Sequence, residues 1–222
     1  LRGFPFTAIL WYQGESDADR PDRYVPLFRH LVTRWRADFG DPALPFLYVQ
    51  LAAFGPPDAA PDERSPWATL RAAQDAALAL PRVFVTPAID IGDAGRIHPL
   101  NKQEVGRRLA LIARAKAYGE KIVFSGPVYK SMEVRGNEIV LSFDNVDGGL
   151  LAKGDKLTGF AIAGADRKFV YADAKIVGDT VVVSSAEVPA PAVVYYGWAN
   201  NPVCNLYNKE GLPAVPFRTS AE

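Results

Sequence analysis

From residue 6 to residue 12 the chain is a nearly continuous apolar and aromatic run, and it passes without a spacer into Gln13-Gly14-Glu15-Ser16-Asp17. A run that does not alternate predicts a strand buried on both faces, as in a parallel sheet. The period then changes. Tyr24, Phe28, Leu31, Trp35 and Phe39 recur every three or four residues with Arg23, Arg29, Arg34 and Arg36 between them, which predicts an amphipathic helix over 22–39 stopped by Gly40. The same alternation repeats twice more. A strand is expected over 46–51 and a helix over 67–80, with Leu70, Ala73, Ala77 and Leu80 on one face. A further strand is expected over 83–89 and a helix over 101–118, with Val105, Leu109 and Ile112 inward. Three strand-helix units in succession predict a parallel sheet with right-handed crossovers. The proline-rich segment 54–66, at the carboxyl end of the second strand, is expected to be an irregular surface loop of the kind that covers sites.

Past residue 121 the pattern becomes short strands, expected over 127–134, 138–143, 159–163, 168–176, 180–184 and 192–198. Turn signals such as Arg135-Gly136-Asn137 and Gly178-Asp179 separate them. That is the signature of a β-sandwich or jelly roll. The chain is thus expected to be α/β over residues 1–121 and an all-β sandwich over 122–222. The aromatics Tyr195, Tyr196, Trp198 and Tyr207 are expected to serve chiefly as core and interdomain packing. A solvent-facing strip of them would instead mark a carbohydrate-binding module.

Composition narrows the partners. Of the 222 residues 25 are basic and 25 acidic, so the chain lacks the electrostatic footprint of a nucleic-acid or anionic-membrane binder. The single cysteine, Cys204, excludes an internal disulfide and a cysteine-based metal site, and no cofactor or metal is called for. No apolar run is long enough to span a membrane, and no charged-then-apolar leader opens the chain. It begins at Leu1, a few residues before a buried strand, which reads as a fragment, a processed product or an expressed portion.

Candidate chemistry falls at one edge. In open α/β sheets ligands bind outside the carboxyl ends of the strands. The cluster Gln13 to Ser16 follows the first strand there, and Asp90-Ile-Gly-Asp93-Ala-Gly-Arg96-Ile-His98-Pro99 follows the third. A histidine in such a loop, near carboxylates, suits a general base, whereas the alternative is a helix-start residue with no role. His30, on the first helix, reads as a solvated helix residue.

Trp11-Tyr12-Gln13-Gly14-Glu15-Ser16-Asp17 followed by Ile97-His98-Pro99 closely resembles the sialate O-acetylesterase family, carbohydrate esterases of the SGNH hydrolase superfamily. Asp144-Asn145-Val146, Phe160-Ala161-Ile162-Ala163-Gly164 and Asn201-Pro202-Val203-Cys204-Asn205-Leu206-Tyr207-Asn208 extend the likeness through the chain. The resemblance implies a partial flavodoxin-like sheet and a serine esterase that removes O-acetyl groups from sugars. It implies His98 as base, Gln13 with Gly14 on the oxyanion side, and an acid orienting the histidine. Many SGNH enzymes carry an aspartate three residues before that histidine, where this chain has Gly95, so the acid is expected to be Glu15, then Asp93, then Asp90. Glu15 is expected within hydrogen-bonding reach of the His98 ring, directly or through one water.

In the family the nucleophile lies in an upstream Gly-x-Ser-Asn motif, and no such motif occurs here. Ser16 is read as structural. The resemblance therefore implies the latter portion of an esterase, inactive alone, acting on an acetylated carbohydrate and completed by an upstream segment or a second copy. It further suggests a secreted or periplasmic setting. The alternative is a non-catalytic carbohydrate-binding or interaction module.

Overall fold

The computed structural model describes residues 4–219. Three parallel strands, β1 (Ile9–Trp11), β2 (Phe46–Gln50) and β3 (Val83–Pro87), lie in the order β1-β2-β3, with Ile9 opposite Phe46 and Phe46 opposite Val83. Every residue of β2 is buried, as its continuous apolar sequence requires of a central strand. α1 (Pro21–Phe39) and α2 (Pro66–Asp75) cover one face through Phe28, Val32 and Leu70, and α3 (Lys102–Lys116) covers the other through Val105, Leu109 and Ile112. β1 is shorter than its sequence run because it has a partner on one side only. Its outer edge carries no strand among the described residues, and Leu10 and Phe4 beside it are 59% and 63% exposed.

The chain from residue 128 is antiparallel. β4 (Val128–Arg135), β5 (Glu138–Asp144), β10 (Thr180–Ser184) and β9 (Asp173–Val177) form one sheet in that order. β13 (Phe217–Arg218), β11 (Val193–Tyr196), β7 (Phe160–Ala163) and β8 (Val170–Tyr171) form the second, and β6 (Leu150–Ala152) pairs with β12 (Leu206–Asn208). Ile139, Leu141, Val181 and Val183 of the first sheet meet Phe160, Ile162, Val194 and Tyr196 of the second in one core, so the two sheets form a sandwich. The strand expected over 168–176 is two strands. It breaks at Ala172 because β8 pairs with β7 in one sheet and β9 with β10 in the other, so this segment turns the corner between them. β6, β12 and β13 are two or three residues long, too short to leave a periodic signal.

The alanines of α2 have a structural cause. Ala68 and Ala72 pack with Ala161, Val193 and Tyr195, so the helix lies directly on the outer face of the β7–β11 sheet. At the same junction Arg71 is fully buried. Its guanidinium donates to the carbonyls of Leu51 at 2.9 Å, Ala52 at 3.1 Å, Ala199 at 2.7 Å and Asn200 at 3.1 Å, two from each half of the chain. The helix expected over 67–80 ends at Asp75 and continues as a 3-10 turn, Ala76–Ala79, before Pro81.

Candidate functional site

The in-register pairing of β1, β2 and β3 brings their carboxyl ends to one edge, where the turn after Trp11 and the loop after Pro87 both emerge. The first turn is built around Gly14, whose φ of 151° an L side chain rarely adopts. A methyl group there would also meet Gln74 Nε2 at 3.1 Å and Leu70 Cδ2 at 3.3 Å. Gln74, fully buried on α2, donates to the Gln13 carbonyl at 3.0 Å and accepts from the Leu51 amide at 3.0 Å. Tyr24 of α1 donates to the same Gln13 carbonyl at 3.2 Å. Two helices thus hold the backbone of Gln13. Its side-chain amide donates to Asp17 Oδ2 at 2.8 Å, so the expected oxyanion donor is held within its own turn. Glu15–Asp17 is a single 3-10 turn, with Glu15 half-buried and Ser16 exposed.

The second loop is pinned at its base. Asp90 takes both arms of the Arg108 guanidinium at 2.7 Å and the Tyr207 hydroxyl at 2.9 Å, with Arg108 also donating to the Pro87 carbonyl at 2.7 Å. Glu104, bonded to Arg107 and Arg108, is held down at about 2 by those guanidinium groups. Burial and the neighbouring Asp90 carboxylate push the Tyr207 hydroxyl well up, so it remains a donor. Gly92 passes so close to the backbone of Ala53 that a Cβ would collide with it. Asp93 Oδ1 accepts from the Gly95 amide at 2.8 Å, closing a local turn. His98 stands exposed beyond that turn.

The structure therefore has Gln13, Gly14 and Glu15 together in one turn, and Asp93 and His98 along the loop that follows β3, both segments at the carboxyl edge. Beside them, Lys102 Nζ at the start of α3 lies 4.8 Å from the centre of the Tyr12 ring, which precedes the first turn. Burial, with the Glu15 carboxylate nearby, pushes the Tyr12 hydroxyl up to about 12. Among the described residues no hydrogen bond joins the His98 ring to Glu15 or to Asp93. Asp90 is committed to Arg108 and Tyr207. The second histidine, His30, lines an open depression with Trp11, Gln13 and Asp17 beside the free edge of β1. No group of three metal-binding side chains occurs among the described residues, and no helix is long and apolar enough to cross a membrane.

Sequence reasoning gave Gln74, Tyr24, Arg108 and Tyr207 no part in this site. Their roles depend on contacts between distant segments. Buried polar residues on otherwise apolar helix faces, Arg71 and Gln74 on α2 above all, were the available signal.

Beneath the first turn lies a buried polar group. Asp75 accepts from Tyr48 Oη at 2.7 Å and Gln50 Nε2 at 2.8 Å, while Gln50 Oε1 is buried without a partner among the described residues. Burial raises the Asp75 carboxyl to about 7 against those two hydrogen bonds, which favour its charge. Once protonated, Asp75 can donate to a turned Gln50 amide and satisfy that oxygen. A carboxyl whose folded pKa lies above its unfolded value stabilises the fold fully below the unfolded pKa of about 4 and loses that contribution as pH rises through about 7. Denaturant titrations are expected to show unfolding free energy declining across that window, and Asp75→Asn, neutral throughout, to remove the decline. An unchanged slope in the variant would assign the effect to other groups.

The proline-rich loop is bonded to the loop after β3, where the Gly55 amide donates to the Ala94 carbonyl at 3.2 Å, and is strapped to the sandwich. Trp198 Nε1 donates to the Glu63 carbonyl at 3.0 Å, and Tyr195 Oη donates to the Glu63 carboxylate at 2.9 Å. Arg167 pairs with the same carboxylate, and the Asn200 amide donates to Asp58 Oδ2 at 3.1 Å. Trp198 and Tyr207 are both buried, so neither forms a solvent-facing aromatic strip.

Residues 2–114 match the family model for carbohydrate esterase, sialic acid-specific acetylesterase, which is half of the chain and includes both candidate loops. The chain belongs to this acetylesterase family. It is 31% identical to the sialate O-acetylesterase of Mus musculus over 98% of its own length and 30% identical to that of Homo sapiens over 94%. It spans 45% of each of those relatives, somewhat under half. Among solved structures, a carbohydrate acetylesterase from Xanthomonas citri superposes with a TM-score of 0.91 at 47% identity, covering 99% of this chain and 51% of that one. The partial α/β unit followed by a β-rich domain is the arrangement this acetylesterase shares.

Proposed function

We propose that this chain is the portion of a carbohydrate O-acetylesterase that supplies the general base, His98, and the oxyanion side of the site, Gln13 with the Gly14 turn. The observation that carries this reading is the common carboxyl edge on which the family's two motif segments emerge. Gly14 and Gln74 set the Gln13 backbone, while the Asp90–Arg108–Tyr207 cluster anchors the loop that ends in His98. In the assembled enzyme His98 takes the proton of an attacking serine, and backbone N–H groups with the Gln13 amide stabilise the tetrahedral oxyanion. Gln13 would exchange its Asp17 partner for the substrate. Glu15 is the acid proposed to orient His98 once the site is complete, with Asp93 next. Catalytic hydrogen bonds are commonly long in unliganded sites and tighten with substrate.

The nucleophile is proposed to come from outside these residues, since no Gly-x-Ser-Asn motif occurs among them. The free edge of β1, with Leu10 and Phe4 exposed beside it, is where a completing strand would pair. The boundary between esterase portion and sandwich is proposed near residue 121. Substrates are acetylated sugars.

Hydrolysis of an acetyl ester tests the proposal. The chain alone is expected to give background rates. A fusion placing it behind the part of the Xanthomonas citri esterase that it does not cover, where the family pattern puts Gly-x-Ser-Asn, is expected to turn over. Robust hydrolysis by the chain alone, lost in Ser16→Ala, would instead make Ser16 the nucleophile.

A further inference from the structure

An apolar recess lies away from the candidate catalytic turn, between the proline-rich strap and the sandwich. It encloses about 340 Å³ and is lined by Leu157, Phe160, Tyr171, Trp198, Pro202 and Val203, with Asp58, Thr158 and Asn201 among the polar residues at its walls. A cavity of that size, mostly apolar with a few placed polar atoms, has the make-up of a small-ligand site. The Tyr171 ring is 53% exposed and Val203 70% exposed. Tyr171 is fixed by its hydroxyl, which donates to the Asp58 carbonyl at 2.9 Å.

The polar atoms still free at these walls are two acceptor oxygens and a hydroxyl, which can both accept and donate. Asp58 uses Oδ2 for the Asn200 amide, and Asn201 uses Nδ2 for the Gly55 carbonyl at 2.6 Å. That leaves Asp58 Oδ1, Asn201 Oδ1 and the Thr158 hydroxyl without partners among the described residues. Lys156, the basic side chain of the lining, is paired with Asp173 at 2.6 Å. The recess therefore offers apolar surface and hydrogen-bond acceptors but no unpaired cation.

We propose that this recess is a binding subsite for a neutral pyranose ring. The C–H face of such a ring lies on Tyr171 and Val203, and its hydroxyls donate to Asp58 and Asn201. A sugar carboxylate would instead face Asp58, and the one cation of the lining, Lys156, is already paired with Asp173. Gly55 links the subsite to the candidate site, since its carbonyl accepts from Asn201 while its amide donates to the Ala94 carbonyl, in the loop that leads to His98. The proposal rests on the carbohydrate-esterase reading and narrows it to substrates with a neutral residue beside the acetylated one.

The test is nitrogen-15 NMR titration of the chain alone with cellobiose and xylobiose, and with the methyl glycoside of N-acetylneuraminic acid as the acidic probe. At least one neutral disaccharide is expected to give saturable shifts centred on Thr158, Tyr171, Asn201 and Val203, and the acidic sugar none. Val203→Asp, at an exposed position, and Tyr171→Ala are each expected to weaken that binding by about tenfold, or 1.4 kcal/mol. No saturable shift with either neutral sugar overturns the proposal. So does equal binding of the acidic sugar, or unchanged affinity in a folded Val203→Asp variant. These outcomes do not depend on turnover: a failed subsite leaves hydrolysis by the fused esterase intact, and a failed esterase leaves sugar binding by this chain measurable.

Discussion

His98→Ala, made in the fused esterase, is expected to lower kcat on an acetyl ester by about 10⁶-fold, because a nucleophile without its base loses nearly all the benefit of the assembled site. Gln13→Ala is expected to cost about 10² to 10³, the range for one oxyanion donor. The two should not separate in KM. Neither side chain is a main contact for the sugar ring, so the loss belongs in kcat, with KM nearly unchanged. Steady-state kinetics on a chromogenic acetate, with circular dichroism to confirm folding, reads both. A His98→Ala enzyme retaining a tenth of the activity would move the base elsewhere. His30, on the α1 side of the Gln13 turn, would then be the next histidine to test.

The second large effect is on stability. Arg71→Met keeps the volume of the side chain and removes its four hydrogen bonds. The Ala52 and Asn200 carbonyls keep other donors, Trp67 Nε1 and the Phe54 amide, but those of Leu51 and Ala199 are left buried and unpaired. Two orphaned acceptors and a lost clamp between the halves are expected to cost about 3–5 kcal/mol of unfolding free energy. That corresponds to a drop in Tm on the order of 10 °C for a chain of this size. Arg71→Lys should recover little, since one ammonium cannot span carbonyls from two segments as a planar fork does. A loss below about 1 kcal/mol in calorimetry would mean that the halves are held by the α2 alanine contact alone.

The parallel unit was legible because its signals are local. An unbroken run such as Phe46 to Leu51 reads as a buried strand, and the spacing of Tyr24, Phe28, Leu31 and Trp35 gives α1 its apolar side, although Val32 rather than Leu31 is the fully buried position. The edges of the elements were less legible for equally physical reasons. Phe6 to Tyr12 reads as a full strand, but a strand with one neighbour keeps only Ile9–Trp11 in register. The segment from Lys168 to Ile176 reads as one strand, and only the geometry of two sheets divides it at Ala172. In the candidate site, motif resemblance pointed to Gln13, Gly14, Glu15, Asp93 and His98, yet the supporting contacts could not be read from it. Gln74 meets Gln13 across 61 positions and Tyr207 meets Asp90 across 117, separations over which no pattern along the chain carries information.

The alanine face of α2 limits how this protein can change. Because the buried Ala68 lets the helix backbone approach the outer surface of the β7–β11 sheet, a larger residue on its packed side would have to be matched by a smaller one at Ala161, Val193 or Tyr195. Arg71, between Ala68 and Ala72, in turn requires two carbonyls at fixed places in the 199–200 turn. A sandwich borrowed from an unrelated protein would meet neither demand. The two parts are thus bound to diverge together, and swapping the sandwich for another to redirect specificity would require redesigning α2 at the same time.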